Sequence, residues 1–337
     1  MHEAFGDDVR VSTIVAGRFR RYHAVSVWEQ LRHPLTIVLP NIIDVGKVAI
    51  GTLQSVIRLI VWRPDVVFAK GGFVCLPIGV AAHLLRIPLV IHDSDAHPGL
   101  TNRILSRWAR AIATGAPLEY YPYPPAITTY VGIPIASALV PPTPAQQAEL
   151  KTKLGFAADR PLVLITGGGL GAVRVNNAVA DTLPQLLKQT SVALVCGKMQ
   201  YDELRERLGA DTAEFQLHDF ISKNMLEYMG AADVVVSRAG MTATAELAAL
   251  GRPTILVPNA YLTGGHQTKN AAVYADADAV VIVDEEALAK GRLGEAVGAL
   301  LASRDQRDTL SRRIQAFARP HAARDVAELV LKTRQTK

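Results

Sequence analysis

Residues 234–258, VVVSRAGMTATAELAALGRPTILVP, constrain this chain more than any other stretch. An apolar run, 234–236, predicts a buried strand, and a small-residue turn follows at 237–240. Residues 242–250 predict a helix, closed by Gly251 and Pro253, and 254–257 predict the next strand. Strand–turn–helix–strand is the unit from which parallel sheets are built. The turn feeds a helix N-terminus, whose first N–H groups lack intrahelical partners and carry the positive end of the dipole. Such a corner accepts phosphate. Glu246 falls about one turn into the helix. A carboxylate so close to phosphate should not face it, and is better placed to accept hydrogen bonds from the two hydroxyls of a ribose. Taken alone, the unit also fits an ordinary α/β crossover.

The same unit recurs in the first half. Residues 64–69 predict a strand leading into Gly71-Gly72, then 74–85 a buried helix and 87–92 a strand. HDSDAHPGLTNR, residues 92–103, starts at the carboxyl end of that strand, where open α/β sheets place ligands. His92, Asp93, Asp95 and His97 cluster there. A metal site is one reading, but Pro98-Gly99 and the lack of a helical i, i+4 pair argue against it. The others are a polar loop capping the next helix, with Asn102 and Arg103 in its first turn, or a sugar or acceptor contact facing the cleft. In the second half, 161–166 predict a strand and 167–171, GGGLG, a loop entering a helix from Ala172. Glycines there are either a flexible turn or a close backbone approach to a diphosphate or sugar. Arg174 follows in the first turn, either as a source of positive charge or as a solvated side chain.

A length of 337 residues suits two domains, and 49% hydrophobic residues fill two cores. The net charge of +5 fits an anionic membrane surface or a phosphorylated substrate without demanding either. Cys75 and Cys196 lie in apolar contexts and read as buried thiols in a reducing compartment. Residues 11–16 predict a strand. Residues 35–62 are largely apolar, but Pro40, Asp44, Lys47, Gln54 and Arg58 interrupt them too closely for a bilayer span. We read an amphipathic helix that either packs on the sheet or, with Arg18, Arg20, Arg21 and Arg32, docks on an anionic leaflet. Prolines at 120–125 and 141–144 resist regular structure and place a domain boundary near Pro141.

Four segments together carry a family resemblance: HDSDAHPGLTNR, ITGGGLGAVRVNNAV (165–179), HDFIS (218–222) and GGHQTKNA (264–271), arranged around 234–258. In this order they resemble the peptidoglycan N-acetylglucosaminyltransferases of glycosyltransferase family 28, the MurG family, from about Arg63 onward. The resemblance implies an α/β chain of the GT-B fold, with two Rossmann-like domains facing a cleft. Residues 1–140 would form the acceptor- and membrane-facing domain and 141–318 the UDP-sugar domain. Residues 319–337 would be a helix returning to the first. It implies inverting transfer of N-acetylglucosamine from UDP-N-acetylglucosamine to an undecaprenyl-diphosphate-linked N-acetylmuramyl-pentapeptide, at the cytoplasmic face of the membrane. The partners would be that donor, a polyprenyl-diphosphate lipid acceptor and an anionic inner membrane surface, with no nucleic acid, no cofactor and no metal.

Residue by residue, the resemblance puts Gly168, Gly169, Ile221, Met241, Thr242, Glu246, His266, Gln267 and Asn270 on the UDP-sugar. Ile221 would read the uracil edge, the Met241 and Thr242 N–H groups would meet phosphate, and Gln267 and Asn270 would hold sugar hydroxyls. Asp93, Asp95 and Asn102 would face the acceptor in the cleft. The chain also departs from the family. Asp95 stands where Asn is usual, Gly169 where Ser is, His266 where Gln is common, and Ala136 where an Arg lies near phosphate. The family's opening strand and GGTGGH-type loop have no counterpart, so the general base is unassigned. A start further upstream, a shortened chain and a degenerate protein are the readings of that gap, and each leaves a sheet edge exposed. Rival functions are another UDP-sugar transferase of this fold, a UDP-N-acetylglucosamine 2-epimerase, and a non-catalytic UDP-sugar-binding protein.

Overall fold

The computed structural model describes residues 10–19, 34–136, 139–168, 171–261 and 265–334. Arg20, Arg21, Arg32, Gly169 and Gly264 lie outside them. After a π-helical turn at Pro34–Val38, helix α1 runs Leu39–Trp62. Strand β1 (Val67–Ala69), helix α2 (Cys75–Leu84), strand β2 (Leu89–Asp93), helix α3 (Leu100–Leu105), strand β3 (Ala111–Thr114) and strand β4 (Thr128–Tyr130) follow. They form a four-stranded sheet in the order β1-β2-β3-β4, parallel throughout.

The second sheet starts beyond a proline-rich crossing. Helix α4 (Pro144–Lys153) opens with a capping box in which Thr143 and Gln146 satisfy each other's backbone N–H groups, and Pro144 takes the first turn, where its missing N–H costs nothing. Then come β5 (Leu162–Thr166), α5 (Val173–Leu186), β6 (Ser191–Val195), α6 (Tyr201–Leu208), β7 (Phe215–His218) and α7 (Met225–Ala231). They are followed by β8 (Val234–Ser237), α8 (Met241–Ala249), β9 (Thr254–Leu256), α9 (His266–Ala275), β10 (Val281–Ile282), α10 (Glu285–Ala289), α11 (Arg292–Ala302) and α12 (Arg304–Gln315). The strand order is β10-β9-β8-β5-β6-β7, again parallel. Its central strands are buried on both faces, which is why they read as unbroken apolar runs. The last helix, α13 (Ala322–Thr333), crosses back to the first sheet, where Val326 packs with Ala113 and Val131.

One reading needs correction. Residues 11–16 form no strand. The Val15 N–H donates to Gln54 Oε1 at 2.9 Å, and Arg58 Nη1 reaches the Thr13 carbonyl. Helix side chains thus take the place of a neighbouring strand. The contact needs Gly51, because a Cβ there would stand 1.9 Å from the Val15 carbonyl oxygen. Helix α1 is amphipathic in the inverted sense. Asp44, Gly51, Ser55 and Leu59 are buried, while Ile42, Ile50, Leu53, Ile57 and Val61 are exposed. Thr36–Trp62 is long and apolar enough to cross a bilayer by length and composition, yet its polar stripe is the side that packs on the domain.

Candidate functional site

In the second sheet β5 pairs with both β6 and β8, so the chain direction of travel across the sheet reverses between β5 and β8. Such a switch point leaves a crevice at the carboxyl ends of the two strands. The β5 loop and the β8 loop both open into it. Gly168 and Gly171 adopt φ of +76°, and the Gly168 N–H donates to Thr166 Oγ1 at 3.2 Å. A Cβ at Gly171 would lie 2.3 Å from the Cys196 carbonyl oxygen, so only glycine lets this loop pass the end of β6. Helices α5 and α8 start from these loops, and neither has a side-chain cap. Two helix N-termini therefore present uncapped first turns to one crevice, a setting that favours a diphosphate. Met241 is buried and Thr242 exposed in the first turn of α8.

Glu246 is half-buried on α8, and its carboxylate makes no hydrogen bond or ion pair among the described residues. Loss of water alone pushes its carboxyl above the usual range. A dehydrated acceptor with no donor is the group two ribose hydroxyls would satisfy. Arg238, just before α8, is buried, and its Nη1 donates to the Val257 carbonyl and to Glu285 Oε1, each at 3.0 Å. The other oxygen of Glu285 takes Arg174 Nη1 at 3.2 Å, and the Arg174 guanidinium lies 4.5 Å over the Tyr261 ring. Two guanidinium groups thus share one carboxylate, leaving a surplus positive charge near the two helix starts. Ile221 is buried just beyond β7, next to exposed Phe220.

Helix α9 borders the crevice. His266 and Gln267 are in its first turn, and Gln267 Oε1 accepts the Asn259 N–H at 2.9 Å. Asn270 is different from the expectation. It is 1% exposed, and its amide is occupied by protein on every side, chiefly by Asp95 and Ala96 of the first domain. A second contact joins the domains at the far end of α9, where the Tyr120 hydroxyl donates to Asp276 Oδ2 at 2.9 Å.

Across the crevice a cavity of about 920 Å³ opens in the first domain. Arg18, Lys47, Lys70, Gly71-Gly72, Asp93 and Asn102 are among its lining residues. Asp93 ends β2 and is buried. Desolvation drives its carboxyl up to about 6, against hydrogen bonds from Tyr123 and Asn102. Asn102 donates to the His92 carbonyl at 3.2 Å, while its buried Oδ1 has no partner. His92 is structural: its ring nitrogens sit 3.1 Å from Ser94 Oγ and 2.9 Å from the Gly132 carbonyl, and burial lowers its pKa. The sequence reading missed Tyr121 and Tyr123, taking the 120–125 segment only as a breaker. Both rings are buried, stacked 5.7 Å apart, and hold the 93–95 loop through Asp93 Oδ2 and the Asp95 carbonyl. Their alternation with proline was the available signal. Lys70 was missed too, although it stands directly before the glycine pair that follows β1.

Comparison with known proteins agrees with this geometry. Residues 14–114 match the glycosyltransferase family 28 N-terminal domain and 162–328 the family 28 C-terminal domain. The UDP-N-acetylglucosamine–N-acetylmuramyl-(pentapeptide) pyrophosphoryl-undecaprenol N-acetylglucosamine transferase of Lachnospira eligens is 35% identical over 296 residues, covering 87% of this chain and 77% of that protein. The Bacillus subtilis enzyme of the same name is 30% identical over 285 residues, covering 84% and 78%. Among solved structures, Acinetobacter baumannii MurG superposes with a TM-score of 0.70 at 27% identity, covering 86% of this chain and 79% of that one. The UDP-N-acetylglucosamine 2-epimerase of Neisseria meningitidis, at 14% identity and a TM-score of 0.62 over 85% and 81%, shares the fold alone.

Proposed function

The chain belongs to glycosyltransferase family 28, and we infer from that membership and from its cleft that it is an N-acetylglucosaminyltransferase of peptidoglycan synthesis. It moves N-acetylglucosamine from UDP-N-acetylglucosamine to undecaprenyl-diphosphate-linked N-acetylmuramyl-pentapeptide. The observation that carries the donor assignment is Glu246, a half-dehydrated carboxylate without a partner, one turn inside the helix at the switch point. In this reading Glu246 accepts both ribose hydroxyls. The N–H groups of Met241 and Thr242 and the backbone at Gly168 meet the diphosphate. Ile221 borders the uracil, and His266 and Gln267 approach the sugar.

The acceptor hydroxyl attacks the anomeric carbon from the face opposite the diphosphate. The new C–O bond forms as the old one breaks, its electron pair leaves on the β-phosphate oxygen, the hydroxyl proton is released to water, and the configuration inverts. Helix N-termini and the surplus guanidinium charge stabilise that oxygen as charge develops. The acceptor enters from the first-domain cavity, where Asp93, Asp95 and Asn102 face the cleft and Arg18, Lys47 and Lys70 supply positive charge for its diphosphate. The outward apolar face of α1 lies on the anionic cytoplasmic leaflet and keeps the lipid tail at the cavity mouth.

The test is transfer of labelled sugar from UDP-N-acetylglucosamine to the lipid acceptor in detergent or vesicles. Acceptor-dependent UDP release with a labelled disaccharide lipid supports the reading. Conversion of the donor to its 2-epimer with no acceptor would replace it.

A further inference from the structure

Both ends of the Asn270 amide are hydrogen-bonded at the domain interface. Its Nδ2 donates to Asp95 Oδ1 at 2.9 Å and to the Ala239 carbonyl at 3.2 Å, and its Oδ1 accepts the Ala96 N–H at 2.8 Å. Two of these three partners belong to the other domain and are adjacent in sequence. Asp95 supplies an acceptor and Ala96 a donor, to one amide. A sugar hydroxyl offers the same pair, an acceptor and a donor on one small group. Asn270 is also the only hydrogen-bond partner of the Asp95 carboxylate among the described residues. The bond is charge-assisted and therefore the stronger half of the contact.

The contact bears on the donor side because of where it sits. Asn270 lies one turn beyond His266 and Gln267 on α9, and it touches the Ala239 carbonyl immediately before α8. The far end of the same helix is tied to the first domain through Tyr120 and Asp276. A buried amide is costly to leave unpaired, so whatever displaces the Asp95–Ala96 corner must either supply an acceptor and a donor or open Asn270 to water.

Resting on the donor reading above, we propose that the Asp95–Ala96 corner stands in for the donor sugar. With the crevice empty, the first domain closes on Asn270 and fills its hydrogen bonds. A bound sugar takes those bonds over, and the two occupants exclude each other. The corner is therefore a self-inhibitory latch between the domains. UDP lacks the sugar and does not reach Asn270, so the competition weakens only the sugar-bearing ligand, in proportion to the latched fraction.

Isothermal titration of the whole chain with UDP and with UDP-N-acetylglucosamine tests this, on the wild type, Asp95→Ala and Asp95→Asn. Asp95→Ala removes the competitor, so the ratio of the UDP Kd to the UDP-N-acetylglucosamine Kd rises about fivefold or more, at unchanged UDP affinity. The unchanged UDP affinity also reports an intact fold. Asp95→Asn retains an accepting oxygen and stays within about twofold of the wild-type ratio. In small-angle scattering the ligand-free Asp95→Ala chain has a larger radius of gyration than the wild type. A ratio that is unchanged or lower in Asp95→Ala, with UDP still bound, overturns the latch alone. Failure of the wild-type chain to bind UDP overturns both the latch and the donor reading beneath it.

Discussion

The Tyr123 hydroxyl donates to Asp93 Oδ2 at 2.7 Å, at the point where β2 runs out into the cleft. This bond and one from Asn102 lower the carboxyl's pKa, but burial prevails and lifts it from 3.8 to about 6. A carboxyl with a raised folded-state pKa contributes stability that is complete below its unfolded pKa and is lost as pH rises through the folded one. Ionised Asp93 therefore costs about 3 kcal/mol near pH 8. Asp93→Asn removes the charge and keeps an oxygen for Tyr123. Its melting temperature should gain on the wild type steadily between pH 4 and pH 8, with most of the gain by pH 7. A difference independent of pH would show that Asp93 is not held in this way.

The apolar face of α1 predicts a surface activity. Leu53 and Ile57 are 63% and 56% exposed and one turn apart. Burying each in the interfacial layer is worth about 1.5 kcal/mol or more. Leu53→Glu with Ile57→Glu should lower binding to phosphatidylglycerol vesicles at least about tenfold, and leave UDP affinity in place. Cosedimentation within about twofold of the wild type would remove α1 from the membrane account.

Gly171 and Gly168 separate strain from crowding. Both have φ of +76°, but only Gly171 has a carbonyl in the way of a Cβ, while the space at Gly168 is open. Gly168→Ala bears the left-handed backbone penalty alone, about 1 kcal/mol. Gly171→Ala adds the collision with Cys196 and should cost more than 2 kcal/mol, on the order of a severe single substitution. Urea midpoints measure the difference, and equal costs would contradict the close approach of the two loops.

Much of the second domain was legible because its signals are local. Apolar runs mark β5, β6 and β8, glycines mark the turns between strand and helix, and Glu246 sits at a fixed distance from Gly240. Residues 11–16 misled because a short run rich in β-branched residues cannot tell a strand partner from the side of a helix. Here Gln54 and Arg58 supplied the hydrogen bonds. For α1 amphipathicity was legible, while the choice between packing on the sheet and exposing the apolar face was open, because burial of Asp44 and Ser55 is decided by what they pack against. Asn270 was singled out by the GGHQTKNA segment as a sugar contact, but its engagement by Asp95 depends on how two domains meet, 175 residues apart in the chain. Tyr123 on Asp93 is of the same kind: no local pattern joins a proline-rich loop to a strand end.

The most direct measurement is calorimetric titration of UDP-N-acetylglucosamine into this chain and into Glu246→Ala at pH 7.5. Two hydroxyls donating to one carboxylate are worth about 3 kcal/mol, so the variant should bind at least about fiftyfold more weakly while melting no lower than the wild type. Equal affinity in the two proteins, or no binding by either, would contradict a nucleotide-sugar cradle at the β5–β8 switch point.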